Sequence, residues 1–298
     1  MPVPPRVLDL FAVPGPARAL PGGPDAHGSA VGVVAGDLAL LPDRDADLVA
    51  AVAPVQARLA VRLDEAPNRS ARDLRLALPV PARDGSWVVD GWAAARFEPS
   101  TEVCTDVPVV LGAGRLLHAL LAVTVRTPPS ALAQRGDRAG WAERVAFGEV
   151  LLPEGPVTPG AAGMTAGAPD GLGAGEDVAR QALDLLAVLG HARDPRPAQL
   201  AHAGLAGSVL LDGAGAPLVL PPSPAWRPAP WAEALAVLDL VLAWGAPPVH
   251  LEEQAADASG RVDLLRAIAY RALTAGDDDA VAHRLGRALV VACGPLVG

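Results

Sequence analysis

The spacing of hydrophobic residues changes near residue 99. Before this point, short apolar runs alternate with turn residues, which predicts strands at 29–34 and 37–41 and two more strands around the Asp84-Gly85 turn. Beyond it, apolar residues recur about every 3.6 residues, as on one face of a helix. This second pattern predicts helices at 107–124, 138–150, 176–192, 230–244, 261–275 and 278–293.

A few further elements complete the predicted architecture. A short helix is expected at 7–11 and a longer one at 45–59, where Pro54 should cause a kink or mark an end. A β-hairpin is predicted near 208–221, within the helical part. The pattern therefore predicts an α+β protein with a small β-rich N-lobe, residues 1–98, and a larger helical C-lobe, residues 99–298.

One segment has the composition of a loop. Residues 152–175 contain seven glycines and four prolines in 24 positions. Such a composition favours a flexible linker or a disordered segment, and a lid over a site is the alternative.

Charge and composition exclude several classes of function. The net charge is −9, which disfavours nucleic-acid binding because that requires a basic face. All 24 basic residues are arginine, so no mechanism that needs a lysine is available. Cys104 and Cys293 are too far apart in sequence for a zinc motif. The longest apolar run, near 116–125, contains His118 and is too short to span a bilayer. We expect a soluble, cytoplasmic protein that binds neither nucleic acid nor membrane.

Two acidic clusters could suggest metal binding, but each has a simpler interpretation. His250, Glu252 and Glu253 are expected on a solvated helix face, because adjacent glutamates point away from each other. The acidic run 277–279 precedes a predicted helix, where carboxylates cap the exposed N–H groups. Gly28 to Gly32 is a faint glycine-rich loop without a lysine. We therefore expect no metal site.

Several short stretches occur in the order typical of one family. They are LPGG at 20–23, GDLALLP at 36–42, DGSWVVDGWAAARFEP at 84–99, LLHALLA at 116–122, RAGWAERVAFGE at 138–149, and QLAHAGLAGSVLL followed by PSPAWRPAPWAEALAVLDLVLAWGA. With these stretches the chain resembles the aminoglycoside-phosphotransferase-like branch of the protein-kinase-like fold. In particular it is similar to an actinobacterial family whose function is not established.

The resemblance implies where catalytic groups would stand, and this chain departs from the pattern at each position. The phosphate-binding lysine is replaced by Leu41. The His-Gly-Asp motif reads His202, Ala203, Gly204, and the asparagine four residues later is Ser208. The magnesium-binding aspartate is replaced by Pro221. These replacements remove the cation and the strong metal ligands that phosphoryl transfer needs.

One further position of the family pattern has also changed. The first helix of the family offers a glutamate to the lysine, and here only Gln56 could take its place. The departures together imply that the chain uses neither ATP nor Mg²⁺ and that none of its residues can be assigned a catalytic role.

The resemblance also provides candidates for binding. His202 is expected to brace the loop rather than react. Trp226 and Arg227 could line the cleft or tie the hairpin to the next helix. The connector 88–94 should lie where an adenine would meet backbone groups, so Asp90 and Trp92 are candidates for ligand contact. The remaining candidates are Ser208, Asp212 and Ser223.

Two functional hypotheses remain open at this stage. The first is a catalytically silent kinase-like protein that binds a small molecule or a protein partner in the inter-lobe cleft. The second is an enzyme that reuses the cleft for other chemistry on a small, natural-product-like substrate, with His202, Ser208 or Asp212 as polar groups. A deep polar pocket would favour the second hypothesis, and a collapsed cleft the first. A residual ATP-dependent phosphotransferase is the weakest alternative.

Overall fold

A computed structural model describes residues 2–21, 32–68, 70, 73–153, 173–191, 193–276 and 278–294. The helices are α1 (Pro5–Leu10), α2 (Ala46–Asp64), α3 (Val107–Thr124), α4 (Ser130–Ala133), α5 (Arg138–Ala146), α6 (Glu176–Val188), α7 (Ala229–Ala243), α8 (Val249–Gln254), α9 (Ala258–Thr274) and α10 (Asp279–Ala292). The strands are β1 (Arg18–Ala19), β2 (Val33–Ala35), β3 (Leu38–Leu41), β4 (Arg75–Leu76), β5 (Pro79–Val80), β6 (Val88–Val89), β7 (Trp92–Arg96), β8 (Glu102–Val103), β9 (Gln199–His202), β10 (Val209–Leu211), β11 (Pro217–Val219) and β12 (Pro224–Arg227).

The N-terminal sheet has the strand order β1-β2-β3-β7-β5, with β6 added alongside β7. All four residues of its central strand β3 are buried, so the sheet is covered on both faces. Leu38 and Leu40 point to a cluster that includes Trp92, while Ala39 and Leu41 point to a second cluster on the opposite face. This alternation follows from the two-residue period of a strand.

Helix α2 is longer than predicted and is not interrupted at Pro54. It begins at Asp45, whose carboxylate accepts a hydrogen bond from the backbone N–H of Leu48 at 2.9 Å. Proline removes the hydrogen bond to the carbonyl four residues earlier, and here that residue is the exposed Ala50. Water can solvate the free carbonyl, so the expected end at Pro54 does not occur.

The second sheet joins strands from the N-terminal third of the chain to the predicted hairpin. Its order is β4-β11-β10-β8, and it combines the predicted hairpin with strands from residues 75–76 and 102–103. The hairpin itself is confirmed, with Leu210 opposite Leu218. The first of the two strands predicted around the Asp84-Gly85 turn, the run 74–82, is split, because β4 pairs with β11 whereas β5 pairs with β7. The sheet therefore crosses the expected boundary at residue 98.

The C-terminal part is built around helix α9, which packs against α5, α6, α7 and α10. Its centre is the buried Trp231, whose ring lies edge-on to Phe147 at 5.5 Å and to Tyr270 at 5.4 Å. The six predicted helices of this part are all present, with ends shifted by a few residues. The predicted cap is also found, since the Asp278 carboxylate accepts from the N–H of Val281 at 3.0 Å.

Helix α3 is the one helix of the described residues that is long and apolar enough to cross a membrane by length and composition. It packs against β9, β11 and α7, and it buries Val110, Leu117, Leu121 and His118 in this contact. Of this helix, 39% is buried within the structure. Most of the predicted loop 152–175 and the glycine-rich run from Gly28 lie outside the described residues, and Gly173–Gly175 form a short 3₁₀ turn.

Candidate functional site

The candidate site is built on the two-stranded ribbon of β9 and β12. His202 ends β9 and pairs with Pro224, and the turn that follows is held by two hydrogen bonds. The N–H of Ala203 donates to the carbonyl of Ser223 at 2.8 Å, and the N–H of Gly204 donates to Nδ1 of His202 at 3.0 Å. The His202 ring thus holds the loop through a backbone contact.

A second histidine, His118 of α3, binds the backbone of His202. Nε2 of His118 accepts a hydrogen bond from the N–H of His202 at 3.0 Å, and both rings are buried. Burial lowers the pKa of His118 to about 4. The pKa of His202 is also lowered well below its usual value, first by burial and then by the charges of His118 and Arg44. Both rings are therefore neutral at pH 7 and serve as fixed hydrogen-bonding groups.

The three changed positions of the C-terminal part lie at one end of the β9–β12 ribbon. Ser208 accepts a hydrogen bond through its carbonyl from the N–H of Leu220 at 2.9 Å, which places it beside Pro221. Gly204 faces Ser223, since a Cβ atom at Gly204 would lie 3.2 Å from the Ser223 hydroxyl oxygen. The structure thus brings together the positions that the sequence placed at a catalytic site.

The fourth changed position, Leu41, lies in an apolar cluster between the two sheets. Leu41 is fully buried, and so are Leu210 and Leu220 from the hairpin side. We call this group the junction cluster; its buried members are Leu20, Val34, Ala39, Leu41, Ala77, Ala95, Phe97, Leu210, Leu218 and Leu220. Side chains occupy this space, so the β3 position offers no charge and no opening to a ligand.

Arg44 is a cation that contacts the site. It follows β3, and its Nη1 donates to the hydroxyl of Ser223 at 3.2 Å and to the carbonyl of Pro222 at 3.4 Å. Burial lowers the pKa of Arg44 to about 10, which leaves it charged at neutral pH. Arg44 thus links the end of the N-terminal sheet to the segment that follows the hairpin.

The space beside Arg44 is small. A cavity of about 20 Å³ is lined by Arg44, by one face of α2 that includes Gln56, by Trp87, and by prolines from 221–224. A water molecule requires roughly 15 Å³ by this measure, so the cavity holds about one water. Gln56 does not point to a charged partner, because its Nε2 donates to the carbonyl of Ala77 at 3.0 Å.

The expected connector at 88–94 is wrong. These residues form the hairpin of β6 and β7, and Asp90 and Gly91 have the positive φ angles of a tight two-residue turn. Asp90 is exposed and pairs with Arg6 at 3.0 Å. Trp92 is buried against α1 on the sheet face opposite the junction cluster. The connection between the two parts of the chain follows β7 instead, so neither Asp90 nor Trp92 lies on it.

Asp212 belongs to the hairpin turn. Its Oδ1 accepts from the N–H groups of Ala214 at 2.8 Å and Ala216 at 2.9 Å. These backbone hydrogen bonds, the one from Ala216 most, lower its pKa, and Arg75 adds to the effect at 2.7 Å. Both oxygens of the Asp212 carboxylate therefore have partners within the protein, either the N–H groups of the turn or Arg75. Arg75 also pairs with Glu98.

Trp226 and Arg227 lie toward the other end of the ribbon. Arg227 pairs with Gln199, three residues before His202, so about 10 Å separates it from that histidine along the strand. Its guanidinium binds Glu149 at 2.5 Å and lies 4.5 Å from the centre of the Phe147 ring. Trp226 packs against the main core. Arg227 thus ties the strand to α5 and to the residues just after it, and not to the next helix of the chain.

Glu143 is a buried acid that the sequence analysis did not single out. It is bound by Arg135 at 2.9 Å and by Arg227 at 3.4 Å, and its pKa is raised because burial outweighs these two cations. His250 and Glu253 form a pair at 2.8 Å on the exposed part of α8. Within the described residues no group of three potential metal ligands comes together.

Sequence reasoning missed His118 and Arg44 as site residues. His118 stands in an apolar run, and only the question of how a histidine is satisfied in a core helix could have drawn attention to it. Arg44 sits three residues after the position expected to hold the family lysine. Arg44 lies near the site because the fold places it beside Ser223, which is distant from it in the sequence.

Comparison with known proteins identifies the fold. No protein-family model matches the chain, and no curated protein matches its sequence. A choline/ethanolamine kinase family protein from Mesorhizobium loti has a similar structure, with a TM-score of 0.50 and 15% identity over 96% of this chain and 93% of that one. The choline kinase LicA from Streptococcus pneumoniae gives a TM-score of 0.47 and 11% identity over 97% and 96% of the two chains.

A likeness of this strength shows the fold alone. The chain is thus a mixed helix-and-sheet protein with a kinase-like fold, as the sequence resemblance implied. It carries no information about the reaction of this chain, because one fold can serve many functions.

Proposed function

We propose that this protein is a kinase-like fold that binds a partner without transferring a phosphoryl group. The observation that supports this most is the junction cluster, which fills the space between the sheets where Leu41 replaces a cation. A buried leucine cannot neutralise a phosphate, and a cluster of packed apolar side chains leaves no room for a nucleotide base.

The residues present do not fit a magnesium ion. Magnesium prefers oxygen ligands in near-octahedral geometry, usually with one or two carboxylates. Gly204 and Pro221 have no side-chain oxygen, and Ser208 provides only a hydroxyl. The nearest carboxylate in the hairpin, Asp212, is occupied by Arg75 and two backbone N–H groups. We therefore propose that ATP and Mg²⁺ are not cofactors of this protein.

The small size of the cavity beside Arg44 supports the silent protein over an enzyme that uses this part of the cleft. An enzyme acting on a small substrate would need a pocket of several hundred Å³ with convergent polar groups. The cavity at Arg44 has about 20 Å³ and is lined mainly by apolar groups and proline rings. His202, which the enzyme hypothesis used as a polar group, is fully buried and binds the loop backbone.

The remaining parts of the proposal concern arrangement and partners. We place the N-terminal sheet with α2 in one lobe and the helices in a second lobe, in a degenerate branch related to aminoglycoside phosphotransferases. The partner is a small molecule that opens the cleft beside Arg44 or a protein that binds across the two lobes. We place the protein in the cytoplasm, without nucleic-acid or membrane partners.

A thermal-shift titration tests this proposal. The protein is heated with ATP, ADP and GTP at millimolar concentration, each with and without Mg²⁺. We expect no change in Tm, whereas a ligand at one hundred times its Kd would stabilise the fold by about 2.7 kcal/mol. A shift of several degrees that requires Mg²⁺ would overturn the proposal and reopen phosphoryl transfer.

A further inference from the structure

Helix α3 exposes an apolar stripe on the side turned away from the core. Val109, Leu116 and Val123 are 37%, 49% and 64% exposed, and they are spaced seven residues apart. Gly112 and Ala119 lie between them and are also exposed. We call these five residues the α3 stripe. Positions 109, 112, 116, 119 and 123 alternate by three and four residues, which is the seam of a two-helix coiled coil.

We propose that the α3 stripe is the contact between two copies of this chain, with the two α3 helices antiparallel. The alternation of large and small residues along the stripe supports this occupant. In an antiparallel pair, Leu116 of one copy lies opposite Ala119 of the other. Val123 lies opposite Gly112 in the same register. Large side chains then enter the spaces left by small ones, as close packing requires.

A parallel pair in register would pack less well. It would set each large residue of the stripe against the same large residue, and Gly112 against Gly112. The layers at Gly112 and Ala119 would then be underfilled, and such voids are destabilising. The sequence of the stripe therefore distinguishes the two orientations.

The charges beyond the stripe support the same orientation. Asp106 caps the N-terminal end of α3 and is exposed, and Arg126 is exposed just after its C-terminal end. An antiparallel pair brings Arg126 of each copy to the turn that carries Asp106 of the other. Because of the twofold symmetry, this attraction occurs twice. A parallel pair would instead place like charges together at both ends.

The positive charge of Arg115, beside the α3 stripe, does not oppose contact between the two copies. Arg115 lies on α3 next to Leu116, and its guanidinium binds Glu233 of α7 at 2.8 Å. Each copy thus neutralises its own arginine near the twofold axis. The proposal rests on the surface of α3 and does not depend on the function proposed above.

The first test measures the mass of the protein in solution by sedimentation equilibrium, for the wild type and for Leu116→Glu. We expect the wild type to be a dimer at about 100 µM and the variant to have a Kd raised at least about 100-fold, because a charge would be buried in the seam. Val290→Glu is the matched control, since Val290 is 71% exposed on α10 and lies outside the stripe. A wild type that stays monomeric, or a dimer unaffected by Leu116→Glu, would overturn the proposal.

A second experiment tests the orientation. Gly112→Cys and Val123→Cys are made separately in a Cys293→Ser background, which removes the exposed native thiol. After mild oxidation, the mixture of the two variants should form a disulfide between one copy of each. A faster cross-link in Val123→Cys alone would indicate parallel helices and contradict the proposal.

A third measurement addresses the other surface that an apolar helix could bind. The wild type is sedimented with vesicles of phosphatidylcholine alone and with vesicles that contain anionic lipid. We expect no binding to either. Binding that Leu116→Glu abolishes, in a protein that is monomeric by mass, would assign the stripe to a membrane surface instead.

Discussion

The backbone N–H of His202 donates to Nε2 of His118 at 3.0 Å, so a histidine from a core helix fixes the strand that ends at the candidate site. Neither ring is accessible to solvent, and neither Nδ1 of His118 nor Nε2 of His202 has a hydrogen-bond partner in the described part of the chain. Protonation of either ring would place a charge in the core. Protonation of His118 or His202 should therefore destabilise the loop at Gly204, which these two rings hold in place.

This pair predicts acid destabilisation. The pKa of His118 is about 4 in the folded state, below the unfolded value of about 6.5, so the unfolded chain binds protons first. Stability is then complete above pH 6.5 and declines as the pH falls toward 4. The loss from His118 alone should be about 3 kcal/mol.

The measurement is urea unfolding at several pH values between 4 and 7, compared with His118→Gln. The amide oxygen of glutamine can still accept the His202 N–H but cannot titrate. We expect the variant to lose about 3 kcal/mol less than the wild type over this range. Parallel pH profiles would contradict the assigned shift.

Gly207 predicts a sensitive point in the loop. Its φ angle is +77°, and a Cβ atom there would lie 2.4 Å from the Trp244 ring. Gly207→Ala should therefore cost roughly 2 kcal/mol or more, through backbone strain and overlap with the ring. Gly213→Ala is the matched control, since no atom lies within 4 Å of its Cβ position and the change should be nearly neutral. Equal stabilities of the two variants by denaturant unfolding would count against the packing of Trp244 on this loop.

Restoring the family residues should not restore catalysis. Leu41→Lys places a charge in the junction cluster, and a side chain at Gly204 must displace the Ser223 hydroxyl by a few tenths of an ångström. We expect the triple variant Leu41→Lys, Gly204→Asp, Pro221→Asp to be less stable by roughly 3 kcal/mol or more and to show no ATP hydrolysis.

Two single variants separate the reasons for that outcome. Leu41→Met keeps the cluster apolar and should cost less than about 1.5 kcal/mol, whereas Leu41→Lys alone should account for most of the loss. Magnesium-dependent ATP turnover by the folded triple variant would mean that the junction can open to admit a nucleotide.

Arg44 and Ser223 should be energetically coupled. The hydrogen bond between them joins the end of β3 to the segment after the hairpin. A double-mutant cycle with Arg44→Met and Ser223→Ala should give a coupling energy of about 1 kcal/mol or more, because a charged donor is involved. Additive effects of the two substitutions on the free energy of unfolding would show that the contact adds nothing to stability.

Much of the secondary structure could be predicted because the hydrophobic period is clear in the long helices. The six helices of the C-terminal part and the hairpin at Val209–Val219 follow from apolar spacing and turn residues. The position of Pro54 inside α2 could not be predicted, since a proline is tolerated only when the freed carbonyl faces water, and that depends on tertiary packing.

The site could be predicted only where a motif kept its order along the chain. Gly204, Ser208 and Pro221 were assigned through their places around the hairpin, and the structure does bring them to one end of the ribbon. Asp90 and Trp92 were misplaced because a Val-Val-Asp-Gly-Trp run is typical of a hairpin turn as well as of a connector. The contact of Arg44 with Ser223 spans 179 residues of sequence, and no local pattern encodes such a contact.

The sheet that unites β4, β8, β10 and β11 has a consequence for how the chain folds. Strand β4 has a single neighbour in this sheet, β11, which is translated more than 140 residues later. A nascent chain that ends before residue 217 therefore holds β4 with no strand to pair with, and the apolar side chains of Leu41 and Phe97 lack the hairpin that covers them. The N-terminal segment can complete the packing of this sheet only after most of the polypeptide has left the ribosome, so a nascent chain exposes this apolar surface until the hairpin has been made.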